Sequence, residues 1–130
     1  MNNNSIVLKS FIKQLDEWFK YITTTYKPKD SRFVKCKVFF EGIKMANPRL
    51  LILVWKNSVT IPYKERIYTG DIEFFLGKDY NEDLSDDYKT ETVETAIQDL
   101  RITIREMEPT YIIESAKYIQ NLCKLSELYN

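Results

Sequence analysis

Residues 47–80 read NPRLLILVWKNSVTIPYKERIYTGDIEFFLGKDY, and the apolar run Leu50 to Trp55 within them decides the fold. Six apolar residues fit a buried strand or a buried helix equally well. The residues before them favour helix. Asn47 is a good N-cap, and Pro48 falls at the first helical position, where its missing N–H costs nothing. No second convincing strand occurs elsewhere to pair with this one. A helix apolar on all sides is a central, buried one. Pro62, after Val59, Thr60 and Ile61, must kink or end it. A new turn runs through Tyr63, Ile67 and Tyr68 until Thr69-Gly70 breaks it. Asp71 then caps a short helix carrying Ile72, Phe74, Phe75 and Leu76, with Gly77 as its stop.

Working outward, residues 1–4 are a polar lead expected to be disordered, and residues 5–130 form a single domain. From Ser5, a plausible N-cap, the residues Leu8, Phe11, Ile12, Leu15, Trp18, Phe19 and Ile22 make one apolar helical stripe. It weakens at the β-branched run Thr23-Thr24-Thr25, ahead of Tyr26, Lys27 and Pro28. Asp30 or Ser31 caps a second helix with the stripe Phe33, Cys36, Phe39, Phe40 and Ile43; Gly42 weakens its end or lets another backbone come close. Beyond an acidic loop at residues 78–87, a helix begins around Thr90 to Thr92. Its seam is Val93, Ile97, Leu100, Ile104 and Met107. Pro109 starts the last helix, with Ile112, Ile113, Ala116, Ile119, Leu122, Cys123 and Leu125. The expected fold is all-α: a compact single-domain bundle of five or six short helices, with most of the core from the first, third and last.

At 130 residues the chain is long enough to bury a core without staples. Cys36 and Cys123 each lie in an apolar helical pattern, as reduced, buried small hydrophobes do. No signal-peptide pattern opens the chain, and its longest apolar run is too short to span a bilayer. An intracellular protein with no membrane partner is expected. Net charge is zero, but its distribution is uneven. Seven bases between Lys27 and Arg49 face Asp30 and Glu41. Nine acids between Asp71 and Glu94 face Lys78 and Lys89. Such asymmetry can steer a partner or drive self-association, or form two solvated faces.

The absence of histidine removes Ser-His-Asp and Cys-His catalysis and the usual zinc sites. Three isolated glycines make no phosphate-cradling loop. In the acidic loop Asp79, Asn81, Asp83, Ser85 and Asp87 alternate as in a calcium loop. Leu84 then occupies the position of the turn glycine and Thr90 that of the bidentate glutamate. No catalytic, cofactor-binding or metal site is expected, and the chain reads as a non-enzyme. Its fourteen per cent aromatic content suits contact surfaces as well as a core. Adjacent helical residues cannot face the same way. The pair Phe74 and Phe75, with Trp55, Tyr63 and Tyr68, is therefore the candidate partner-binding patch. The alternative is a nucleic-acid-associated accessory factor using the basic segment 27–49 through Lys27, Lys29, Arg32, Lys35 and Lys37. A neutral chain forfeits much of the electrostatic term behind phosphate binding.

Asn47-Pro48-Arg49, Pro62-Tyr63, Asp71 with Phe74-Phe75-Leu76, and Asp79-Tyr80 together resemble a family of small uncharacterised helical proteins. That family is encoded by large nucleocytoplasmic (giant) DNA viruses. Lys117-Tyr118-Ile119-Gln120 with Leu122 to Leu125 is similar to the family's final helix. The chain departs from the family at Gly70, before the lone acid Asp71, where relatives are more polar. The resemblance implies an all-helical fold and a viral, intracellular setting in host cytoplasm or viral factory. It implies no activity and no catalytic residues. The expected function is thus a viral protein–protein interaction module in replication, transcription or particle assembly. Its partner is a viral or host protein, or a second copy in a homo-oligomer.

Overall fold

The computed structural model describes residues 3–28, 31–77 and 91–130, and the side chains of Glu91 and Thr92 lie outside that description. The acidic loop with its calcium-like spacing falls outside the described residues, as does Lys29. Among the described residues there are six helical rods and no strand. They comprise α1 (Asn3–Tyr21), α2 (Arg32–Ala46), α3 (Pro48–Trp55) continuing into α4 (Ile61–Tyr68), α5 (Ile72–Gly77), α6 (Glu91–Arg105) and α7 (Pro109–Leu128). Residues 48–55 are helix, with Asn47 extended before it and Pro48 in the first turn. Helices α1 and α7 pack along each other, α2 packs on α6, and α3 lies between α1, α2 and α7.

Helix α1 starts earlier than Ser5 because the far end of the chain reaches it. Asn4 Nδ2 donates to the Asn130 carbonyl at 3.2 Å, and the Asn130 N–H donates to Asn4 Oδ1 at 3.0 Å. Residues 3 and 4 are therefore helical rather than a disordered lead, a correction to the expected boundary. The other end of α1 widens at the three threonines. Thr23 and Thr24 hydroxyls donate to the Phe19 and Lys20 carbonyls at 2.8 Å each, back-bonding that bends a helix. Ile22–Tyr26 is a π turn, closed by Lys27 N–H on the Ile22 carbonyl at 2.9 Å. Lys27 ends it with φ +57, a left-handed conformation that costs a non-glycine residue about 1–2 kcal/mol.

A second π turn, Lys56–Thr60, joins α3 to α4, so Pro62 neither ends nor restarts the rod. The i→i+5 spacing opens the helix where the proline ring would meet the Ser58 carbonyl. Gly70, at φ +87, makes the turn into α5. The Asp71 carboxylate caps α5 as expected, accepting from Phe74 N–H at 3.3 Å.

The core centres on two indoles. Trp18 of α1 and Trp55 of α3 meet at 90° with centroids 6.2 Å apart. Phe11 meets Trp55 edge-on, and Tyr118 of α7 stacks on Trp18 at 15°. Around them pack Leu15 and Phe19, Leu51 and Ile52, and Ile119, Leu122 and Cys123. The first, third and last helices do not supply most of the core as expected, because α2, α4, α5 and α6 bury as many core side chains as they do. Helix α2 adds Phe33, Cys36 and Phe40, and α6 adds Ile97, Leu100 and Ile104. Both cysteines are free and buried, and burial raises both thiol pKa values.

Buried polar groups fix the register between rods. The Trp18 indole N–H donates to Ser115 Oγ at 3.1 Å. Ser126 Oγ donates to the Cys123 carbonyl at 2.8 Å, so the Thr60 hydroxyl is left to donate to Ser126 Oγ at 2.6 Å. Ser115→Ala should leave the Trp18 N–H buried without an acceptor. The expected loss is about 1–3 kcal/mol in a urea titration, with the far-ultraviolet spectrum unchanged.

Candidate interaction surface

The five aromatic residues of the expected patch do not form one. Trp55 is 1% exposed, Tyr63 and Phe75 are also buried, Tyr68 is half-buried and Phe74 is exposed. Trp55 faces the two-indole core. Tyr63 of α4 meets Phe75 of α5 edge-on at 5.5 Å, and the Arg101 guanidinium from α6 lies 5.7 Å from the Phe75 ring. Arg101 is itself buried, donating to the Phe75 carbonyl at 2.8 Å and to Gln98 at 2.9 Å. Trp55, Tyr63 and Phe75 are thus packing residues, a correction to the expected site. The reason is geometric: a four-rod environment around α3–α4 buries more than one stripe of that rod. Phe74 is exposed but covered on one ring face by Arg66, 4.5 Å away and held by Asp71 at 3.0 Å.

Tyr68 also works within the fold. Its hydroxyl donates to the Glu127 carboxylate of α7, which Lys64 approaches at 3.1 Å. The Tyr68 hydrogen bond, then Lys64, holds the Glu127 carboxyl below the usual glutamate range. Burial and Glu127 push the Tyr68 phenol up.

The basic segment is partly neutralised in place. Arg32 pairs with Glu106 at 3.3 Å, Lys44 with Glu41 at 3.0 Å and Asp16 at 3.2 Å, and Arg49 donates to the Tyr129 hydroxyl at 3.0 Å. The hydrogen bond to Glu41 raises the Lys44 pKa. Lys35 and Lys37 project about 160° apart around α2. Lys35 and Lys37 therefore do not share one phosphate-binding stripe, and of the described basic candidates only Lys27 and Lys37 line a common groove, with Glu41 beside them.

What the structure does assemble lies on the outer side of α2. Val34, Val38 and Met45 are 59%, 65% and 83% exposed. They fall within about 40° of arc, some 160° from the buried Cys36 and Phe40. Beside them runs an open groove of about 690 Å³, bounded by Thr23, Lys27 and Pro28 on one side and Phe33, Val38 and Met45 on the other. The left-handed backbone at Lys27 turns the chain along its rim. Gly42 sits on the same face, and a Cβ there would meet nothing within 4 Å. A mid-helix glycine costs about 1 kcal/mol against alanine, and no packing within this chain requires it.

The sequence carries a signal for this face that assigning each helix a single apolar stripe misses. Apolar residues on both sides of α2 leave little amphipathic contrast, and Val34, Val38 and Met45 stay exposed. Among the described residues no group of three or more Cys, Asp or Glu side chains is arranged to hold a metal ion. No described helix is long and apolar enough to cross a membrane. No protein-family model, curated protein or solved structure matches the chain.

Two outcomes follow from these placements. Trp55→Ala should cost about 3–5 kcal/mol in chemical denaturation, whereas Phe74→Ala should cost under about 1 kcal/mol. A glutamate with a lowered folded-state pKa stabilises the fold above its unfolded value, and that stability is lost as pH falls through the folded value. Wild type should therefore lose more stability than Glu127→Gln between neutral pH and the acid side of the glutamate range, near about pH 3. Urea midpoints at the two pH values check this.

Proposed function

We propose that this protein is a non-enzymatic protein–protein interaction module that works through the outer face of α2. The observation that carries the reading is the exposed set Val34, Val38 and Met45 beside an open, largely apolar groove. Burying a side chain of this size is worth about 1.5–3 kcal/mol, so leaving three together in water forgoes a substantial gain. Apolar residues grouped on one helix face, rimmed by Lys35, Lys37 and Glu41, have the composition of an interface. The partial neutralisation of the basic segment weighs against the nucleic-acid alternative, since phosphate binding rests on uncompensated cations. The viral setting, with roles in replication, transcription or particle assembly, belongs to the same proposal. It rests on the resemblance carried by Asn47-Pro48-Arg49 and Phe74-Phe75-Leu76.

The test is affinity purification of the tagged protein from its native cells, with and without nuclease, beside Val38→Glu. A differently tagged second copy of the chain is expressed in the same cells. Recovered protein, including the second copy, should survive nuclease and be lost in Val38→Glu while its helical spectrum, and its thermal unfolding in dilute purified form, are unchanged. A recovered set that disappears with nuclease, or one that Val38→Glu leaves intact, overturns the reading.

A further inference from the structure

We infer that the occupant of the α2 face is a second copy of this chain, docked with its own α2 antiparallel across the first. The inference rests on the interaction reading above and deepens it. Helix α2 spans Arg32–Ala46, about 22 Å of rod. Its outer face centres near Phe40 in register, with Val34 and Val38 on one side and Gly42 and Met45 on the other. A two-fold axis at that level lays Val38 of each copy over Gly42 of the other. The missing Cβ there lets the two backbones approach, which gives Gly42 the packing role it lacks within one chain. Val34 then meets the Met45 end of the partner helix. Met45 is the most exposed of the three and is flexible enough to enter the groove beside Thr23 and Pro28.

The charges fit the same arrangement. Lys37 and Glu41 are one turn apart on the same flank of α2. A two-fold axis perpendicular to the helix and parallel to the interface keeps like flanks together. Lys37 of each copy therefore comes alongside Glu41 of the other, making the pair twice over. Lys44 already holds Glu41 at 3.0 Å in its own chain, so the carboxylate is fixed near the edge of the face. Lys35, on the opposite flank, faces the small side of the partner near Gly42 and Ala46 rather than another cation. Zero net charge removes long-range repulsion between copies. An acidic helix from another protein would satisfy Lys37 and Lys35, but it would leave Glu41 facing like charge.

Sedimentation velocity of the full chain, across roughly two decades of concentration about the micromolar range, tests this. Wild type should move from 15.5 kDa toward twice that mass. Val38→Glu should stay monomeric, with an unchanged helical spectrum and, at dilutions where wild type is also monomeric, an unchanged melting temperature. Lys37→Glu and Glu41→Lys should each weaken association about tenfold, by turning two attractions into two repulsions. The double variant Lys37→Glu/Glu41→Lys should restore it. Restoration by the double swap is a result that nonspecific stickiness does not give. A wild type that stays monomeric throughout overturns the inference, and so does a dimer indifferent to Val38→Glu or to the swaps. If wild type is monomeric yet a nuclease-resistant partner is lost in Val38→Glu, the second copy is wrong and the interaction face stands. If neither association is seen, both fall.

Discussion

The perpendicular contact between Trp18 and Trp55 is the constraint from which the other rods take their places. It joins α1 to α3 through the two largest side chains of the core. A buried indole N–H ordinarily takes an acceptor. The Trp55 N–H is buried with no hydrogen-bond partner among the described residues, and the Trp18 N–H has one. For Trp18 that acceptor is Ser115 of α7, which fixes the third rod against the other two. A second polar contact, Thr60 to Ser126, locks the α3–α4 rod to α7 one layer away. These bonds define a register, whereas the surrounding aliphatic contacts would tolerate some sliding. The π turn at Lys56–Thr60 fits this demand: it carries the rod past Pro62 while keeping Thr60 facing Ser126.

Helix α2 sits outside that central trio and is committed on one side. Phe33, Cys36 and Phe40 pack inward, with Phe19 against both phenylalanines. Lys44 reaches back to Asp16 and pins the helix to α1. Its other side carries valines, a methionine and a glycine where a solvent-facing helix ordinarily carries charge. Those residues cost stability in an isolated chain and gain it only when covered. On the proposed reading, the same helix serves the fold with one face and association with the other. The groove along Thr23–Pro28 follows from the π turn that the three threonines impose on the end of α1.

The sequence made much of this legible, and the parts it hid share a cause. The helices, the seam of α6 and the cap at Asp71 follow from local spacing, and the structure has them. Residues 50–55 are legible as helix too, because Asn47-Pro48 is a local signal. The hidden parts depend on groups far apart in the chain. Ser115 and Trp18 are separated by 97 positions, and Asn4 and Asn130 by 126. No periodicity points from one to the other. Nor does spacing show how many rods surround α3–α4, so Trp55, Tyr63 and Phe75 read as surface when they are core. The outer stripe of α2 differs: Val34, Val38 and Met45 are a local pattern, but a single-stripe reading assigns each helix one apolar face.

The most direct measurement of the central claim, that the outer face of α2 is covered by association, is hydroxyl-radical footprinting of Met45 in dilute and concentrated protein. Met45 is 83% exposed in the single chain, while Met107 is 5% exposed and serves as the internal control. The expected result is fast oxidation of Met45 when dilute and several-fold slower oxidation when concentrated, with Met107 slow in both. Equal oxidation of Met45 at both concentrations would contradict the account.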